Sequence, residues 1–359
     1  MDFDLAEEHH EITELADRIL QDHLDIEVLR EIEASSEWFD KELWGKFASS
    51  GLIGATLKED VGGAGLDIVA LVCLLRSQGQ HVAPIPLLPT LVSAVTLDKF
   101  GTEAKRNSLL PKVADGSKIL TFASQEFLND QFMEPSTSYE NGFIAGTKIV
   151  VEYANHADSA LVTAMDDDEP SVFIVDLEDP NITMQATDST RGEPLWEVSF
   201  KEAPAEKIGG RESVAWLYQI LLISLCATQL GVTETALKMT ASYTSEREQF
   251  GRPLATFQAV TQRLADQFIN VGGIRLTTFS AAWRLSAGLD ALEDVLVAKW
   301  WASERATEIA HATQHCHGGM GVSKDYPLYR YTLWNKHITT SMGAGTQTLR
   351  SLGSLLASN

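Results

Sequence analysis

The chain has 359 residues, 44% of them hydrophobic, with 28 basic against 50 acidic side chains and a formal net charge of −22. It is long enough for a large core or for two or three structural units, and no basic run offsets a charge that argues against nucleic acid or an anionic membrane surface as partner. Three cysteines, Cys73, Cys226 and Cys316, are an odd number without metal-ligand spacing, which argues against a disulfide framework, and no bound metal is expected.

The N-terminal stretch MDFDLAEEHHEITELADRIL is acidic and helix-patterned where a signal or transit peptide would be basic, so a cytoplasmic location is expected. Ile12, Leu15, Ala16, Ile19 and Leu20 fall at i, i+3, i+4, i+7 and i+8, one face of a helix. This spacing continues to about Leu120, and residues 1–120 read as an N-terminal helical domain. The glycine turn VGGAGLD at 61–67 has no preceding strand and no following Lys-Ser/Thr, so it reads as an interhelical turn and not a phosphate loop.

From 121 to 208 the texture changes to short β-type runs such as KIVV at 148–151, SALV at 159–162 and SVFIV at 171–175. Turn signals such as DDDEP at 166–170 separate them, so this is a middle β domain. The helical period returns over 209–359, with helices expected near 211–245, 254–288, 290–316 and 326–355, a C-terminal four-helix bundle. The longest apolar run, VAWLYQILLISLCA at 214–227, is broken by Gln219 and Ser224. It falls short of the roughly 18 apolar residues of a membrane span and reads as a buried core helix. The last helical region is interrupted by SMGAGT at 341–346, where short side chains must matter.

The segment REQFGRPLATFQAV, Arg247 to Val260, ends one helix and turns through Arg252-Pro253 into the next. It resembles the Arg-x-x-Phe-Gly and Phe-Gln signature of acyl-CoA dehydrogenases. WGKFASSGLIGATLKEDVGGAGLD at 44–67 and QHCHGGMGVSKDYPL at 314–328 resemble two further stretches of that family, in its order and spacing. The resemblance implies an α+β, mostly α fold: an N-terminal helical domain, a middle β-barrel or sandwich and a C-terminal four-helix bundle. It also implies FAD at a subunit interface, where a neighbour's bundle contacts the pyrophosphate and adenosine. On that resemblance Arg247 faces the pyrophosphate, Phe250 packs on the cofactor, and Gln258 belongs to the same signature. Gly318 and Gly319 let backbone approach the ADP portion, Thr346 supplies a hydroxyl near FAD, and His315 stands where the family usually has glutamine.

The family's reaction removes a proton from Cα of an acyl thioester while Cβ gives hydride to the flavin, and it needs a carboxylate base. In the family this is a glutamate at one of two places. One corresponds here to Ala344, in Gly343-Ala344-Gly345-Thr346, and the other aligns with Leu221, flanked by Ile220 and Leu222. Neither can take a proton, and no catalytic residue is assigned. The family's flavin-ring segments also differ: TFASQEFLND at 121–130 replaces its Thr-Glu-Pro stretch, and Val150 and Glu152 replace its ring-side tryptophan and threonine.

The chain therefore resembles the base-less subunit of bacterial heteromeric acyl-CoA dehydrogenases. That implies a catalytic paralogue as partner in an α2β2 assembly, a bulky, steroid-derived or similar acyl-CoA substrate, and an electron-transfer flavoprotein or similar acceptor. Two alternatives stay open: an autonomous flavoenzyme with an unrecognised base, such as His337, Glu126 or Glu152, and a cofactor-free scaffold.

Overall fold

The structure, a computed structural model, describes residues 4–358. Six helices come first: α1 (Glu7–His23), α2 (Ile26–Ala34), α3 (Lys41–Ser49), α4 (Ile68–His81), α5 (Leu87–Phe100) and α6 (Glu103–Ala114). Seven strands follow: β1 (Leu120–Ala123), β2 (Ser138–Glu140), β3 (Phe143–Glu152), β4 (Ser159–Asp166), β5 (Glu169–Asp176), β6 (Ile182–Thr187) and β7 (Leu195–Gly209). After α7 (Arg211–Glu246) come a two-strand hairpin, β8 (Glu248–Gln249) and β9 (Arg252–Pro253), and then α8 (Gln258–Ser286) and α9 (Leu292–Trp300). The chain ends with α10 (Ala306–His317), α11 (Leu328–Thr340) and α12 (Gly345–Ser358).

Contacts divide the chain into two compact units. One holds the residues up to Ile19, Val28–Leu71 and Pro84–Leu221; the other holds Leu20–Glu27, Val72–Ala83 and the residues from Leu222 on. In the first unit, α3 begins where the Asp40 carboxylate accepts the Leu43 amide at 2.9 Å, a cap that satisfies one of the helix's orphan donors. Helix α5 is buried on all sides from Leu87 to Asp98. Two of its hydroxyls, Thr90 and Ser93, donate to the carbonyls of Leu120 and Thr121 and so tie β1 to the helix. The buried Asp98 carboxylate is met by Arg106 at 2.8 Å.

The strands of this unit pair in a closed ring. β4 lies between β2 and β5, β2 pairs with β3, β3 with β7, and β7 with β5, while β1 and β6 add to β4 and β7. Closure leaves the five ring strands without a free edge, which makes the β domain a small barrel. It is possible because β7 is long: its first part pairs with β3 and β6, and its end from Ala205 to Gly209 pairs with β5.

In the second unit the C-terminal part of α4 lies close against α7. A Cβ at Gly79 would run into the Thr228 carbonyl, and one at Gly231 into that of Arg76, so both positions need glycine for the backbones to meet. The Glu234 carboxylate on α7 joins three side chains, Arg76 at 2.7 Å, Gln80 at 2.9 Å and Arg275 at 2.6 Å. The expected helix at 290–316 is a rod made of α9, a π-helical turn at Trp301–Arg305 and α10. The expected helix at 254–288 begins at Gln258, after a 3₁₀ turn over Leu254–Thr256.

The helical region near 326–355 is two helices, with positive φ at Met342 (56°) and Gly343 (97°) between them. One helix among the described residues is long and apolar enough to cross a membrane, α7, and 83% of its most apolar window is buried inside the protein. It is a core helix, as its run at 214–227 suggests.

Candidate functional site

Helix α7 ends in a hairpin whose two-residue loop is Phe250-Gly251, with Gln249 opposite Arg252. Both loop residues have positive φ, 55° and 77°, the geometry that matches the twist of the flanking strands and that normally selects Asn-Gly. Gly251 suits it; Phe250 adopts it at a cost. The Phe250 residue is 93% exposed, and its ring meets that of Phe257 edge to face at 6.2 Å between centroids. The Arg252 guanidinium lies over Phe257 at 4.1 Å, a cation–π contact that steadies the loop. Arg247 donates its backbone N–H to the Tyr243 carbonyl at 2.8 Å, while its guanidinium is exposed and has no hydrogen-bond or ion-pair partner among the described residues. Gln258 opens α8, also exposed.

His315, Gly318 and Gly319 sit at the end of α10, all exposed. The three glycines of this turn have different reasons to be glycine. Gly318 lies at φ 58° and ψ −136°, a region open only to glycine. Gly321 is crowded, since a Cβ there would come within 2.9 Å of the Gln314 carbonyl. Gly319 has neither constraint: its φ is not positive, and nothing lies within 4 Å of where its Cβ would stand. The room it leaves is outside the chain, where a phosphate-bearing ligand could approach the backbone.

The hairpin and this turn come together through side chains: the rings of Tyr243, on the last turns of α7, and His317, at the end of α10, stack at 4.3 Å. Six of the seven expected cofactor residues, Arg247, Phe250, Gln258, His315, Gly318 and Gly319, thus belong to two segments joined at one place. The seventh, Thr346, lies in the first turn of α12, exposed, beside the interruption.

That interruption is held from both sides by the rod of α9 and α10. Lys299, 1% exposed, donates to Ser303 Oγ at 2.8 Å and to the Ile338 carbonyl at 3.4 Å, in the last turn of α11. On the other side, a Cβ at Gly345 would collide with the Glu304 carboxylate. Ala344 stands exposed between them. The π-helical turn, which carries Glu304 and the Ser303 that Lys299 meets, had no signal in the sequence.

In the barrel, Glu126 and Lys148 form a buried ion pair at 2.7 Å. Glu126 also accepts the Ser136 and Thr137 amides and the Thr137 hydroxyl, and Lys148 reaches Thr163. Burial alone would raise the Glu126 carboxyl, but the Lys148 ammonium and these donors outweigh it and hold it at about 2. Burial draws Lys148 down to about 8 although Glu126 supports its charge, so the pair is ionised at neutral pH. Glu152 is bound by the buried Arg191 at 3.2 Å, and Arg191 also engages Glu193, whose carboxyl is pushed up by burial against the pull of Arg191.

These contacts correct the expectation that Glu126 or Glu152 could act as a free base, because each is bound in an ion pair made by the barrel itself. His337, the third alternative, is buried on α11. Nothing local in the sequence marks Arg191 and Glu193, which stand between β6 and β7 and reach Glu152 only through the folded barrel.

Two descriptions match the chain over most of its length: the acyl-CoA dehydrogenase N-terminal domain at residues 6–117 and the acyl-CoA dehydrogenase C-terminal domain at 219–352. The chain belongs to the acyl-CoA dehydrogenase family. It is 34% identical to acyl-CoA dehydrogenase FadE27 of Mycobacterium tuberculosis, over 99% of each chain. Among solved structures it is similar to the Tcur3481–Tcur3483 steroid ACAD, G363A variant, with TM-score 0.95 and 41% identity over 98% of each chain. It is also similar to the ChsE4–ChsE5 complex of Mycobacterium tuberculosis, with TM-score 0.95 and 34% identity over the whole of each chain. The fold is that of the acyl-CoA dehydrogenases, helical at both ends with strands between.

Proposed function

We propose that this chain is the base-less subunit of a heteromeric, FAD-dependent acyl-CoA dehydrogenase that introduces an α,β double bond into a bulky acyl-CoA thioester. The observation that carries the reading is a contrast within one chain. The residues expected at the ADP portion of FAD are exposed, and among the described residues the Arg247 guanidinium has no partner and nothing crowds a Cβ at Gly319. The positions expected to do the chemistry hold Ala344, Leu221 and an ion-paired Glu152. The similarity to a steroid ACAD of two named components and to a complex of two Mycobacterium tuberculosis proteins supports a partner of different sequence and a steroid-derived substrate.

FAD, bound at the interface, supplies the acceptor for the hydride leaving Cβ. This chain's share is to hold it. The Arg247 guanidinium offers a fork to the pyrophosphate, the Gly318–Gly319 backbone lets the ADP portion come close, and the Phe250 ring gives an apolar face to pack on. Gln258 and His315 add polar contacts, and Thr346 adds a hydroxyl from the first turn of α12. The ring-side position in the barrel does not fit a flavin edge, because Glu152 and Arg191 already satisfy each other there.

The partner's base takes the Cα proton. Its docking face on this chain is the outer stripe of α8. Phe268, Ile269, Leu276 and Trp283 are exposed there, half-buried Phe279 lies in line with them, and at the centre Gly272 has open space where a Cβ would stand. Such a stripe suits another subunit's helix crossing closely. An electron-transfer flavoprotein is the expected reoxidant.

The visible spectrum tests the reading. The chain purified alone should be colourless and inactive on acyl-CoA, and should become part of a yellow, active enzyme with its catalytic partner. A yellow lone chain that oxidises acyl-CoA by itself would overturn it.

A further inference from the structure

The hairpin carrying Arg247 and Phe250 and the turn carrying Gly318 and Gly319 are distant in sequence, yet one cofactor can use both only if their spacing is fixed. We propose that His317 is the positioning residue that fixes it, acting through Tyr243 and Tyr326. The proposal rests on the reading that both segments face the ADP portion of FAD.

Ring chemistry determines what His317 does. Its Nδ1 lies 2.8 Å from the Thr313 carbonyl oxygen, which can only accept, so Nδ1 carries the proton. Burial lowers the imidazole pKa from its ordinary value, although the Thr313 bond opposes this, and the ring is neutral. Nε2 is then an acceptor, and the Tyr326 hydroxyl, at 3.1 Å, donates to it. The other groups facing the cluster are the Tyr243 ring, 6.0 Å from that of Tyr326, and the Glu246 carboxylate, whose field falls on the Tyr326 hydroxyl.

Each contact leads into a cofactor-facing segment. The imidazole lies nearly flat on Tyr243, with 22° between planes, and the Tyr243 carbonyl accepts the Arg247 N–H one helical turn later. Gly318 is the next residue after His317. Tyr326 closes the far side, its N–H donating to the Ser323 carbonyl at 3.2 Å. One side chain is thus shared by the end of α7, the start of the glycine turn and its closure. An apolar residue of similar size would fill the space but leave the Tyr326 hydroxyl without its acceptor.

The test uses His317→Leu, which removes the acceptor, and His317→Gln, whose carboxamide oxygen can accept from Tyr326. In the full chain, hydrogen exchange at the amides of 247–251 and 318–322 should quicken about tenfold in His317→Leu and return near wild type in His317→Gln. In the native oligomer, FAD titration by flavin fluorescence should show affinity falling about five- to tenfold for His317→Leu and for Tyr326→Phe, with the double variant no weaker than either. In an Arg247→Ala background, His317→Leu should cost less than it does alone, because one of the contacts it positions is already gone.

Additive losses, unchanged exchange at the two segments, or a uniform rise through the bundle would overturn the proposal. Should His317→Leu fail to accumulate, Tyr326→Phe, which removes one oxygen, carries the same readouts. If Arg247→Ala leaves FAD affinity unchanged, the ADP-side reading falls by itself, and the exchange experiment still decides whether His317 ties the segments together.

Discussion

Replacing Phe250 with asparagine should stabilise the free chain and weaken its hold on FAD. Phe250 sits at φ 55°, followed by Gly251 at φ 77°, and a bulky L-residue in this left-handed region costs roughly 1–2 kcal/mol. Asparagine tolerates the conformation, and Asn-Gly is the preferred pair for this loop, so most of that strain, about 1 kcal/mol, is relieved. Little is lost in exchange, because Phe250 is 93% exposed. Its edge contact with Phe257 at 6.2 Å is worth at most about 0.5 kcal/mol in water. The net gain of about 0.5 kcal/mol should raise Tm by roughly 1–2 °C, measured by thermal unfolding of the full chain. FAD retention in the assembled enzyme should fall by roughly tenfold, about 1.4 kcal/mol, if the ring packs on the cofactor as proposed. A lower Tm, or undiminished FAD affinity, would refute the idea that the loop keeps a strained aromatic for its ligand.

Arg247→Ala should weaken FAD retention in the assembled complex by roughly 1.5–3 kcal/mol, read by equilibrium dialysis, since it removes the proposed charge-assisted phosphate contact. Ala344→Glu should leave the lone chain unable to bleach flavin with acyl-CoA, because a base without an oriented flavin has no hydride acceptor; robust bleaching would mean the ring side is intact. Lys148→Met should destabilise the barrel by about 3–5 kcal/mol in denaturant titrations, because Glu126 would keep a buried charge without its cation. Lys299 titrates at about 8 in the fold because it is buried, against an ordinary value of 10.5. The unfolded chain thus binds more protons between those values, and stability rises with pH there. The wild-type advantage over Lys299→Met should grow by about 2 kcal/mol from about pH 7.5 to about pH 9.5, and a pH-independent difference would show that Lys299 titrates normally.

What the amino-acid order determined by itself was whatever is written in local spacing. Helical periodicity gives the α-rich ends, and alternating short runs give the β segment between them. The Arg247–Gln258 and His315–Gly319 stretches are legible because turns need glycine and proline at fixed offsets. The proposed loss of the base is legible because Ala344 stands where the resemblance to the family puts a carboxylate. Tertiary structure decided which glycines serve the fold: Gly318 and Gly321 have reasons inside the chain, and Gly319 shows none among the described residues. It also decided the state of the acids. Glu126 and Glu152 read as free carboxylates in the sequence, but Lys148 and Arg191 reach them across the folded barrel. The same holds for His317, whose partners Tyr243 and Tyr326 belong to other segments. Periodicity records which face of an element is apolar, whereas a buried charge or tautomer is set by groups that meet only when distant segments pack, where low dielectric makes each pairing decisive.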